Sequence, residues 1–70
     1  MAQVKVYHDR QGNTLTVWFG EPQAEYICEE TGDEVILMKD KKGNVIGFER
    51  LNFIVGNTEQ WQVAFETIAG

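Results

Sequence analysis

Up to Leu51 every apolar run in this chain is short and is closed by turn-forming residues, a pattern that suits strands joined by tight reversals. The strongest instance lies in residues 34–38 and 45–48, two apolar runs separated by Asp40, Lys41, Lys42, Gly43 and Asn44. Gly43 can take a positive φ without strain and Asn44 tolerates the left-handed region, so this spacer reads as the reversing loop of a hairpin. Gly47, inside the second run, signals a bulge or the close approach of another element. A first hairpin precedes it. Residues 4–7 alternate β-branched and long side chains, Asp9, Gln11, Gly12 and Asn13 crowd together as turn formers, and residues 14–19 resume the strand pattern. There Leu15, Val17 and Phe19 share one face, and Thr14, Thr16 and Trp18 share the other. Gly20, Glu21 and Pro22 end that strand, residues 24–28 read as a short extended segment, and Thr31, Gly32 and Asp33 turn the chain again.

Past Gly56 the period changes from two to 3.6. Trp61, Ala64, Phe65 and Ile68 fall on one stripe, with Glu59, Gln60, Gln62, Glu66 and Thr67 opposite. Asn57 or Thr58 would cap this segment and Gly70 would close it. The expectation is an α+β fold: an antiparallel β-sheet of two hairpins, about four strands, with one C-terminal amphipathic helix packed on one face. Residues 1–70 are expected to form a single domain, since so short a chain cannot build two cores.

Hydrophobic residues make up 43% of the chain, an ordinary globular share that argues against disorder. Ordering about 70 residues costs roughly 100 kcal/mol, which burial must nearly offset, so chains of this size often recruit a staple. Cys28 is the only cysteine, which rules out an intramolecular disulfide and a multi-cysteine zinc site. Self-association remains, and a homodimer is expected. Six basic residues against eleven acidic give a net charge of −5, the wrong sign for nucleic acid. Lys39, Lys41 and Lys42 are read as a solvated hairpin tip. No run approaches the roughly 18 apolar residues of a membrane span, and no signal-like sequence opens the chain, so the expected location is cytoplasmic.

No motif for catalysis, metal or phosphate stands out, and neither an enzymatic activity nor a cofactor is expected. His8 and Asp9 are the nearest approach to an acid–base or metal pair, yet adjacent strand residues point to opposite faces. Glu29 and Glu30 beside Cys28 oppose thiolate formation. The acidic group Glu29, Glu30, Asp33 and Glu34 lacks the ligand spacing of a calcium loop. Trp18 is the more telling residue. It stands with Thr14 and Thr16 on the polar side of a strand that already has an apolar face, where an aromatic suits a partner.

Three features resemble the YuzE-like family of domains of unknown function: Tyr7 and Asp9 leading to Thr14-Leu15-Thr16-Val17; Pro22 followed by acidic residues; and Gly32-Asp33-Glu34-Val35-Ile36-Leu37 leading to Asp40 and Gly43-Asn44-Val45-Ile46-Gly47-Phe48-Glu49. Met38, Lys39 and Asn13 depart from the family's acidic positions. The resemblance implies a compact sheet with a helix, association as a dimer, and no catalytic residues to carry over. The expected function is a non-enzymatic homodimeric interaction module with Trp18, Thr14 and Thr16 in its contact surface. The alternatives are an antitoxin-like or regulatory partner of another protein, and a small metal-binding or enzymatic site around His8 and Asp9.

Overall fold

The structure, a computed structural model, describes residues 3–54 and 62–69. The described residues form five strands: β1 (Lys5–Asp9), β2 (Thr14–Trp18), β3 (Ile27–Glu30), β4 (Val35–Lys39) and β5 (Val45–Arg50), with a short 3-10 turn at Pro22–Ala24. They make one sheet in the order β1-β2-β5-β4-β3, and each neighbouring pair is antiparallel. Strands β3, β4 and β5 follow one another as hairpins, while β2 lies beside β5 and reaches β3 by the long connection, which is a Greek-key arrangement.

Side-chain acceptors shape the reversals. Asp9 Oδ1 accepts the backbone N–H groups of Gln11 and Gly12, each at 3.0 Å, and Asn13 takes φ 57° before β2 begins. Asp40 Oδ1 accepts the N–H groups of Lys42 and Asn44, each at 2.9 Å, while Gly43 takes φ 86°. An aspartate that satisfies backbone donors in a turn mimics part of the ladder that the reversal interrupts.

Cross-strand partners share a face of a sheet. One face carries the row Lys5, Trp18, Gly47, Met38 and Cys28, next to the row Tyr7, Thr16, Glu49, Ile36 and Glu30. The other carries Val6, Val17, Phe48, Leu37 and Glu29 beside His8, Leu15, Arg50 and Val35. Met38 and Ile46, 4% and 8% exposed, are the buried hydrophobic residues among those described, with buried Gly47 beside them. This small core sits where β5 is irregular: the β4–β5 register shifts between Met38 and Lys39. There the Ile46 carbonyl accepts two N–H groups, from Phe19 at 3.0 Å and Gly20 at 2.9 Å.

Two sequence expectations are corrected. The sheet has five strands rather than four, because the extended segment near Cys28 pairs fully along β4 and becomes the edge strand β3. Among the described residues the C-terminal amphipathic helix is absent: residues 62–69 carry no helix, so the described fold is all-β rather than α+β. The start of the expected helix, including Trp61 and its caps, lies outside the described residues. Its periodicity lacks the packing that a short helix requires, since Phe65 and Ile68 are 78% and 91% exposed. Helices under about 12–15 residues are marginal without tertiary burial, and Val63, Thr67 and Ile68 are β-branched.

Candidate interaction surface

The expected contact residues occupy one strand. Thr14, Thr16 and Trp18 alternate along β2 and project from the same face, each half-buried. Trp18 already has an intramolecular role there. A Cβ at Gly47 would lie 2.8 Å from Trp18 Cε3 and 2.7 Å from the Val17 carbonyl oxygen, so the indole lies over the glycine in the space a side chain would fill. The anomaly seen in the sequence, a tryptophan on a polar face and a glycine within a strand, is one cross-strand pair.

The opposite face carries no helix among the described residues and is lightly covered. Val4, Val6, His8, Leu15 and Val17 line an apolar groove over β1 and β2 together with Phe53, Gln62 and Val63. A neighbouring hollow is lined by Gln3, Val4, Val6, Phe19, Val63 and Phe65. The C-terminal segment lines these hollows with Val63 and Phe65, yet both stay largely exposed, at 68% and 78%. Val6, Leu15, Val17, Val35, Leu37 and Phe48 are all half-buried. Sequence reasoning missed this surface, although the split of β2 into Leu15/Val17 and Thr14/Thr16 had marked its apolar side.

The two candidates for chemistry separate. His8 meets Phe53 edge to face, with ring centroids 5.5 Å apart, while Asp9 is engaged in its turn. Among the described residues no group of three or more His, Cys, Asp and Glu is placed to hold a metal ion. Cys28 is exposed, and its thiol donates to Glu25 Oε2; that hydrogen bond, with slight burial and the charges of Glu25 and Glu49, raises its pKa above the ordinary thiol value. A proton held this way lowers nucleophilicity at neutral pH. Asp40 is held below the usual carboxylate range, first by the Asn44 N–H, then by the Asn44 side chain and by Lys42, slight burial opposing.

The two sheet edges differ in charge. On β3, all four residues are exposed, and Glu29 and Glu30 stand side by side, with Glu29 paired to Lys39 across to β4. On β1, Lys5 and Asp9 stand at opposite ends, with Tyr7, 55% exposed, midway between them.

Among the described residues no helix is long and apolar enough to cross a membrane. Residues 5–53, the first residue of β1 to just past β5, match the model of a family described as protein of unknown function (DUF2283). No curated protein and no solved structure matches the chain.

Proposed function

The chain belongs to the DUF2283 family of proteins of unknown function, and from that premise we propose that it is a non-enzymatic interaction module that works as a homodimer. The observation that supports this most is the single-layer sheet. Met38 and Ile46 are its buried apolar side chains among the described residues, while Val4, Tyr7, Phe19, Tyr26 and Ile27 are 45–60% exposed. Full burial of two such side chains contributes about 3–6 kcal/mol, a small part of the roughly 100 kcal/mol ordering cost that burial as a whole must offset. Cys28 is the only cysteine, so no disulfide within the chain supplements it, and no gathered metal site does among the described residues. A second copy supplies the missing burial, and the cytoplasm, where Cys28 stays reduced, is the compartment that suits this reading.

Sedimentation equilibrium over a wide concentration range tests it. The expected result is twice the chain mass, falling to the monomer only on dilution. A monomer at every concentration, with the sheet folded, would end the homodimer reading and leave the apolar face to a protein partner of another kind.

A further inference from the structure

Resting on the homodimer reading, we infer that two copies join edge to edge through β1, antiparallel about a two-fold axis at Tyr7, to make one ten-stranded sheet. A free strand edge carries unpaired N–H and C=O groups and invites such pairing. The described residues offer two edges, and their charges decide between them. Antiparallel pairing of β3 with itself gathers Glu29 and Glu30 of both copies along one seam, and like charges at close range oppose it. The β1 edge is self-complementary. With Tyr7 opposite the partner's Tyr7, Lys5 falls opposite the partner's Asp9 and Asp9 opposite the partner's Lys5, both pairs on the Tyr7 face, while Val6 and His8 exchange across the other face. A two-fold interface requires this reciprocity, in which residue i meets j and j meets i.

Two further observations favour this edge. Asp9 is held in place by the Gln11 and Gly12 N–H groups at 3.0 Å, so the carboxylate needs little reorganisation to meet a lysine. Exposed apolar side chains also gather beside β1: Val4, Tyr7, Phe19, Val63 and Phe65 are 45–78% exposed and lie on or next to it. Edge pairing brings the two fringes together and withdraws them from water. The β3 edge has exposed apolar side chains of its own in Tyr26 and Ile27, but they stand beside Glu29 and Glu30, whose charges oppose self-pairing there.

The two-fold axis yields a test specific to this register, since residue 7 faces its own copy. Tyr7→Lys and Tyr7→Glu, each alone, place like charges opposite one another and should raise the dimer dissociation constant at least tenfold. An equimolar mixture of the two should recover a heterodimer within a few-fold of wild type. Tyr7 is largely exposed, so both variants should keep the sheet, which circular dichroism checks. As a second route, Tyr7→Cys in a Cys28→Ser background should form an inter-chain disulfide under mild oxidation, because facing strand residues have Cα atoms about 4.5–5.5 Å apart, within disulfide reach. Lys5→Cys in the same background should not, since the two copies of position 5 stand about 13 Å apart along the strands. Wild-type dimers unaffected by both charged variants, a mixture that fails to recover, or equal crosslinking at positions 5 and 7 would each overturn the β1 edge while leaving the homodimer intact. A wild-type monomer at all concentrations would overturn both.

Discussion

Gly47 shows most directly how a single residue fixes this sheet. Its hydrogen atoms leave room for the Trp18 ring and the Val17 carbonyl, and a methyl group there would sit 2.7–2.8 Å from both. Backbone and a packed aromatic cannot give way cheaply, so Gly47→Ala should cost about 1–3 kcal/mol in urea denaturation, the range of an overpacked core. Trp18→Ala removes the roof but not the strand, and an unchanged stability in that variant would show that the indole serves only an outside partner. At Cys28 the carboxylate of Glu25 holds the thiol proton. Glu25→Gln should therefore lower the thiol pKa and speed alkylation by iodoacetamide at pH 8, where an unchanged rate would remove Glu25 from the account. Asp40 shifts the other way. Its pKa is depressed in the fold, so the stability it confers is present above the ordinary carboxylate value near 3.8 and is lost as pH falls through the lowered one. The gap in melting temperature between wild type and Asp40→Asn should accordingly be widest near neutrality and close in acid; a constant gap would show that charge is irrelevant to this turn.

Both expected hairpins exist as elements because their signals are local. Asp9 and Asp40 bond backbone within their own reversals, Gly43 takes the positive φ its position asked for, and Thr14 to Trp18 alternate as a strand should. The strand order was not legible, since β2 pairs with β5 from residues more than 25 positions away, and no local pattern encodes that choice. Strand β3 was faint for a related reason: its four residues are exposed, so burial imposes no alternation on Ile27, Cys28, Glu29 and Glu30. The C-terminal stripe of Phe65 and Ile68 is genuine as a pattern, but a 3.6 period becomes a helix only where a surface buries its apolar side. Of the expected contact residues, Trp18 stands out in the sequence as an aromatic on a polar face, but the Gly47 it covers lies on another strand, which no local pattern links to it. These differences in burial set an order of local stability. Amide hydrogen exchange should be fastest in β3 and slowest in β5, which has paired neighbours on both sides and holds Ile46 and Gly47. Equal protection in the two strands would mean that something covers the β3 edge in solution.

At the scale of the whole molecule, two copies each carrying −5 must approach to assemble, and the proposed seam contributes only two exposed ion pairs. Their salt dependences oppose each other, and magnitudes decide the outcome. Side by side in one sheet, five strands spaced about 4.8 Å put the charge centres roughly 24 Å apart. Repulsion between the net charges is then about 2 kcal/mol at 0.01 M ionic strength, where the Debye length is about 30 Å, and only about 0.2 kcal/mol at 0.15 M. Two Lys5–Asp9 pairs near 4 Å are worth roughly 1 kcal/mol each in water before screening, and lose about a quarter of that over the same range because they are much closer than a Debye length. Relief of the long-range repulsion exceeds the loss at the seam by about 1 kcal/mol, so association should tighten roughly fivefold between low and physiological salt. Sedimentation of wild type at the two ionic strengths measures this directly. Lys5→Gln should weaken the dimer at both and steepen the tightening, because repulsion between charges of −6 grows while the screened attraction disappears. A dimer that loosens steadily with salt would mean that ion pairs dominate its interface, and the balance between net charge and seam drawn from the β1 register would then be wrong.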